Sequence, residues 1–310
     1  MTKRIKRFLK PTAVARLQNL SLVARLVVEG FISGLHKSPF RGCNVEFAEH
    51  RPYMPGDEIK TIDWKVFART EKYYVRQFEE ETNLKCTILL DASRSMTYAE
   101  TAGGKKAKTI SKFEYGCCLA ASLAYLMLRQ QDSVGLVLFD SHIKEFLPPR
   151  SKMNHLHVLL EHLEKASENE LGEDTDISTT FHELAERIRR RGLVVIISDL
   201  LDYQESVLNS LRHFRHKKHE VIVFHVLTPS EISLPFQGLT RFRDLESNKE
   251  LVANAAALRD DYRKLMDEFL AGYRRGCLES SIDYSLLDTS TPFDQGLANY
   301  LAKRGVKGLV

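Results

Sequence analysis

Four short apolar runs, CTILLD, VGLVLFD, LVVIISD and VIVFHVL, punctuate the chain between Cys86 and Leu227. Each is continuous rather than alternating, so both faces of each strand must be covered, as in a parallel sheet between two helical layers. The segments between them carry helical spacing or caps. SKFEYGCCLAASLAYLMLRQQ opens with the capping-box pair Ser111 and Glu114, and TTFHELAERIRRR opens with Thr180 and Glu183. KMNHLHVLLEHLEKA and QESVLNSLRHFRHKK complete the alternation. Strand and helix in turn predict the α/β class: a doubly wound, mostly parallel sheet flanked by helices.

Three of the four runs end in aspartate: Asp91, Asp140 and Asp199. In an open parallel sheet the strand exits share one edge, and ligands bind there at the switch point. Asp91 is followed by Ser93 and Ser95 in LLDASRSMT, and GEDTDISTT ahead of Asp199 can bring a threonine hydroxyl to the same edge. Two carboxylates and three hydroxyls, with no imidazole or thiolate, suit magnesium or manganese, which prefer oxygen ligands. Hydroxyls are neutral, so such a cation would favour an added carboxylate from another protein. Taken alone, D-x-S-x-S also suits a plain turn or helix cap.

The flanks differ in texture. TAVARLQNLSLVARLVVEGFISGLH places Val14, Leu17, Leu20, Ala24, Val27 and Phe31 at helical intervals, with Gly34 as its stop. A charged, turn-rich arm follows, holding the one tryptophan, Trp64. After the fourth run come a long helix, ANAAALRDDYRKLMDEFLAGYRRGCLE, a late strand, IDYSLLD, and a last helix begun by Pro292. The division expected is 1–80 for N-terminal helix and arm, and 81–310 for the sheet domain with its C-terminal helices.

The 45 basic and 41 acidic residues nearly balance, which argues against a charge-driven nucleic-acid binder. Cys43, Cys86, Cys117, Cys118 and Cys277 form no C-x-x-C pair, so neither a disulfide framework nor a zinc ribbon is expected. The longest apolar run, CCLAASLAYLML, is too short to span a bilayer, and MTKRIKRFLK lacks the apolar stretch of a signal peptide. A soluble cytoplasmic protein is the expectation.

These residues carry a resemblance. Asp91-Ala-Ser93-Arg-Ser95, a later threonine loop and Asp199 resemble the metal-ion-dependent adhesion site of von Willebrand factor A domains. The preceding arm is similar to the signature of family 58 among the domains of unknown function, through Arg51-Pro-Tyr, Gly56-Asp57, Ile62-Asp63-Trp64, Ala68-Arg69 and Phe78-Glu79-Glu80-Glu81. The resemblance implies a von Willebrand A-like sheet with Mg2+ or Mn2+ at its upper edge, held by Asp91, Ser93, Ser95, Thr175 and Asp199; Thr179 and Thr180 lie close to Thr175. It implies no catalysis, and a non-enzymatic adaptor working with a MoxR-type AAA+ ATPase in assembly or activation of other proteins. The partner would offer an Asp or Glu side chain to the metal.

The alternative weighed is a magnesium-dependent phosphoester hydrolase, for which Asp140 is the nearest candidate base. HELAE, His182 to Glu186, lacks the second histidine of a zinc protease, and AGGKKAK fails the phosphate-loop spacing, reading instead as a loop able to gate the site. RHFRHKKH is expected to be a solvated basic face. The charges of the arm, Arg51 and Asp57 among them, suggest buried ion pairs pinning it to the sheet, with docking of the ATPase as the functional reading.

Overall fold

The structure, a computed structural model, describes residues 45–55, 57, 62–80, 84–100, 110–168, 177–245 and 248–307. The expected N-terminal helix, the AGGKKAK loop and Thr175 lie outside the described residues. The chain divides into two compact units, one of them Ile32–Asn83 and the other containing Leu84–Val310.

Within the first unit, β1 (Val45–Pro52) and β2 (Tyr74–Glu80) pair antiparallel, with Phe47 opposite Phe78 and Arg51 opposite Val75. Helix α1 (Trp64–Thr70) connects them, and Asp63 caps it by accepting from the amides of Lys65 at 2.9 Å and Val66 at 3.3 Å. A short carboxylate before the first turn is what orphan helix amides require. Arg51 and Asp57 do pair, at 2.8 Å, but their side chains are 31% and 22% exposed and both belong to the arm. The expectation of a buried pin therefore fails for this pair, which solvent screens.

The second unit holds a six-stranded sheet built from β3 (Lys85–Asp91), β4 (Ser133–Phe139), β5 (Ile143–Arg150), β6 (Leu193–Ser198), β7 (Glu220–Leu227) and β10 (Asp283–Asp288). Their order across the sheet is β10-β7-β6-β3-β4-β5, all parallel except β5 at one edge. The four apolar runs are the four central strands, as expected from their continuous hydrophobicity. β5 (IKEFLPPR) was illegible as a strand because edges tolerate charge and proline.

Helices α2 (Lys112–Arg129), α3 (Asn154–Glu168), α4 (Ile177–Arg187) and α5 (Gln204–His216) fill the crossovers. The Ser111–Glu114 capping box forms as the sequence predicts. Helix α2 presses directly on the strand exits: a methyl group at Gly116 would lie 2.7 Å from Leu90 Cδ1 and 3.3 Å from Ile197 Cγ2. Thr180 is not the cap of its helix. Helix α4 starts three residues earlier, where the Ile177 amide donates to Asp202, and the Thr180 hydroxyl donates to the Asp140 carbonyl at 3.1 Å.

On one face Leu89, Val137, Val194, Ile196 and Val223 meet Phe181 and Phe214 in a continuous core, with Phe139–Phe181 and Phe181–Phe214 ring centroids 5.3 and 5.9 Å apart. Cys86, Cys117, Cys118 and Cys277 are buried as small hydrophobes and form no disulfide among the described residues. The basic end of α5 is a solvated face as expected, with Arg212, His216, Lys217 and Lys218 exposed, and Glu186 of the HELAE segment accepts there from His213 at 3.1 Å and Lys217 at 2.9 Å.

Beyond β7 come the short helix α6 (Pro229–Ser233), the hairpin β8 (Leu239–Arg243) and β9 (Glu250–Asn254), then α7 (Ala255–Glu279) and α8 (Phe293–Lys307). The hairpin takes Ala253 and Asn254, which the helical pattern had assigned to α7.

Asp132, at the entrance to β4, is buried and accepts from the Leu84 amide at 2.9 Å, while its Oδ2 has no partner. Burial pushes its pKa up to about 6. A raised carboxyl pKa gives stability that is present below pH ~4 and lost as pH rises through the folded value. Asp132→Asn keeps the acceptor for Leu84 and removes the charge. Its stability relative to the parent should grow between pH 4 and 7 by on the order of 2 kcal/mol, read by urea melts across that range. A pH-independent difference between the two proteins refutes the burial account.

Candidate metal centre

The chain leaves β3 toward β4 on one side and returns to β6 on the other, so the exits of β3 and β6 flank the switch point where crossovers diverge. Leu90 lies beside Ile197 in the register, which places Asp91 beside Ser198 and directly before Asp199 in space. Asp91 and Asp199 are 0% and 1% exposed.

Asp91 is fixed at both oxygens. Its Oδ1 accepts from the Ser93 amide at 2.8 Å, the Asx turn that a short acid makes two residues ahead. Its Oδ2 accepts from the Ser198 hydroxyl at 2.5 Å. The turn then swings Ser93 and Ser95 together, their hydroxyl oxygens 3.0 Å apart, before one 3-10 turn over Ser95–Thr97. On the β6 side, Leu200 takes a left-handed φ of 50°, and its amide donates to Ser198 Oγ at 3.0 Å. A leucine in that region is costly, and such strain is held where a loop must aim a side chain.

Two residues that the sequence reading missed complete the cluster. Lys112, fully buried, donates to Asp199 Oδ2 at 2.7 Å and to Glu231 Oε1 at 2.5 Å. Glu231 Oε2 in turn accepts from the Thr228 amide at 2.8 Å and hydroxyl at 2.9 Å. A signal for Lys112 did exist: it is the first residue of α2, at the helix end where a cation opposes the dipole, and it heads an otherwise apolar helix. Such a lysine needs a carboxylate close by.

Burial first, and then the negative charge of Asp199, raise the Asp91 pKa to about 7 against the opposing bonds from Ser198 and Ser93. Burial works against the Lys112 ammonium, but Asp199 and Glu231 outweigh it and hold its pKa above the ordinary lysine value. His225, on the neighbouring strand β7, is pushed down to about 4 by burial and stands neutral, bonded to the Tyr284 hydroxyl at 2.7 Å. The cluster thus carries three carboxylates against one ammonium, and two of those carboxylates repel.

Four of the five expected ligands are described, and Asp91, Ser93, Ser95 and Asp199 lie at one strand edge. Thr175 is outside the described residues, Thr180 is turned to Asp140, and Thr179 is exposed on α4. Asp140 caps its own turn, accepting from the His142 amide at 3.1 Å and pairing with Lys144 at 2.8 Å. Among the described residues no three His, Cys, Asp or Glu side chains form a metal cluster of that kind. The donors present are oxygens only, and the excess negative charge calls for a cation, so the set fits a hard divalent ion. An ionised carboxylate has about four lone-pair positions, so the two bonds to Asp91 leave it free to accept further.

The sequence profile of the family described as "Protein of unknown function DUF58" matches residues 49–269. An uncharacterized protein of Mycobacterium tuberculosis (strain ATCC 25618 / H37Rv) is 28% identical over 258 residues, which cover 82% of this chain and 78% of that protein. One from Mycobacterium avium is 32% identical over 123 residues, covering 38% and 69%. Similar solved structures include conserved hypothetical protein BatB from Bacteroides thetaiotaomicron, 18% identical over 71% of this chain and 98% of that one, with a TM-score of 0.44. Another is the SpRpn10 VWA domain, 9% identical over 70% and 94%, with a TM-score of 0.36.

Proposed function

The chain belongs to the DUF58 family, and on that premise we propose that it is a non-enzymatic, metal-ion-dependent protein-interaction module. The observation that carries the reading is the meeting of Asp91 and Asp199 at adjacent strand ends, with Ser93 and Ser95 turned to the same place. Asp91, Ser93, Ser95 and Asp199, with Thr175 from the second loop, would hold Mg2+ or Mn2+. The ion would supply a Lewis-acidic position for a carboxylate of a partner protein. Ser93 and Ser95 add no charge, so part of the ion's charge is left for that carboxylate. Asp91 orients the first loop through the Ser93 amide, and Ser198 keeps Asp91 aimed.

The partner we propose is a MoxR-type AAA+ ATPase, with this chain as its adaptor in assembling or activating other proteins; the family resemblance supports that pairing. Hydrolysis of phosphoesters is the weaker reading, because its candidate base, Asp140, is taken up by Lys144 and the His142 amide. Among the described residues no helix is long and apolar enough to cross a membrane.

Tagged protein in native lysate with magnesium is expected to recover an AAA+ ATPase, and EDTA to reduce that recovery at least about tenfold, since one lost ligand set is worth ~1.4 kcal/mol or more. Recovery that chelator leaves unchanged contradicts the metal dependence. Turnover of p-nitrophenyl phosphate that is lost in Asp91→Asn contradicts the non-enzymatic reading.

A further inference from the structure

A cleft of about 580 Å3 opens beside the strand edge, bounded by Ser95 and Leu201 from the two aspartate loops and by the β8–β9 hairpin opposite. Six consecutive residues, Thr240 to Leu245, line it. Four of them, Thr240 to Arg243, are consecutive residues of β8, and because side chains alternate between the faces of a strand, such neighbours border one space where the strand's edge faces it. Among the described residues β8 is hydrogen-bonded to β9 alone, which leaves that edge with unmatched amides and carbonyls. An exposed edge of this kind is a template for an added strand.

The charge of the cleft is specific. Glu231 shares the Lys112 ammonium with Asp199. Arg241 is 71% exposed and only 3.8 Å from its nearest acid, Glu250, while Arg243 bonds the neutral amide oxygen of Asn248 at 2.8 Å. Beneath, Arg259 donates to the carbonyl oxygens of Leu234 and Phe236, and Arg263 to that of Ser233. Those acceptors are neutral, so these bonds fix the wall of the cleft without cancelling the guanidinium charges. Asp244 is the remaining acid in the lining. Phe236, Phe242 and Tyr262 supply apolar contact between the charges, with Phe236 and Phe242 edge to face at 5.9 Å.

We propose that this cleft binds an extended, acidic peptide segment of a partner protein, which adds as a strand to the free edge of β8 and lays its carboxylates along Arg241 and Arg243. The inference deepens the interaction reading, since Ser95 joins the cleft to the metal loop. A segment lying on β8 can deliver one side chain toward Ser95 while its neighbours meet the hairpin. Backbone bonds give such a complex its grip, and the arginines choose acidic sequence over basic.

Random octapeptides displayed on phage and selected on the full chain in magnesium are expected to be enriched in Asp and Glu at alternate positions. The most enriched peptide, fluorescein-labelled, should bind at least about tenfold more weakly to Arg241→Glu/Arg243→Glu by anisotropy, since like charges then face its carboxylates. Methylating the backbone nitrogens of one alternate set of its residues should abolish binding, and methylating the other set should not. Both arginines are exposed on the hairpin, and circular dichroism of the variant should match the parent. An enriched set without acidic bias, affinity unmoved by the double reversal, or equal effects of both methylation sets would each overturn the proposal. Repeating the titration in EDTA separates the two readings. Loss in EDTA with indifference to the arginines leaves the metal site and removes the cleft, whereas arginine dependence without chelator sensitivity does the reverse.

Discussion

Asp91→Asn is expected to lose divalent-ion affinity by about 100-fold or more, because even residues that only orient metal ligands are worth 10–100-fold. Titration of Mn2+ followed by electron paramagnetic resonance measures it, with isothermal calorimetry of Mg2+ as the second readout. The fold should survive. Asparagine retains an oxygen for the Ser93 amide or the Ser198 hydroxyl. It also removes a charge that burial and Asp199 both oppose. The raised pKa of Asp91 means that its ionised form destabilises the empty protein, and that this cost is complete above about pH 7. In EDTA at pH 8 the variant should therefore melt no lower than the parent. Unchanged Mn2+ affinity in a folded Asp91→Asn would place the ion somewhere other than the exits of β3 and β6.

The central sheet was legible because burial on both faces leaves a mark: a short uninterrupted apolar run fits a covered strand, whereas the longer run CCLAASLAYLML lies in the buried helix α2. The convergence of Asp91 with Asp199 was legible for a related reason, since parallel strands put their exits on one edge whatever their separation in sequence. β5 and the β8–β9 hairpin were not, because an edge strand with one solvated side keeps its prolines and charges, and LTRFR resembles a loop as much as a strand. Helix α4 shows how a cap can mislead. Thr180 and Glu183 have the right spacing, yet the helix begins at Ile177, where Asp202 from a distant loop takes up the first amide. Tertiary contact decided what local pattern left open. Lys112 and Glu231 escaped for the same reason: their pairing spans 119 residues, and only the oddity of a cation heading an apolar helix marks the first of them.

That lysine is where stability and ion binding oppose each other. Lys112→Met keeps the length of the side chain but leaves Asp199 and Glu231 in the cluster without their ammonium. Breaking a buried pair from one side costs about 3–5 kcal/mol. At ~2–4 °C per kcal/mol for a domain of this size, the melting temperature in EDTA should fall by roughly 10 °C. Glu231→Gln, which spares the Asp199 pair and loses a half-buried partner, should fall by only about 1–2 kcal/mol. The raised pKa of Lys112 puts the loss of its own contribution above pH 10.5. Magnesium then discriminates. In the parent the ammonium already occupies Asp199 Oδ2, and an ion must share that carboxylate with it. In Lys112→Met the carboxylate is open, and anything that binds only the folded state stabilises it by mass action. Saturating magnesium should therefore raise the melting temperature of Lys112→Met more than that of the parent, narrowing the gap between them. A gap that magnesium leaves untouched means that the ammonium and the ion do not compete for the same oxygen.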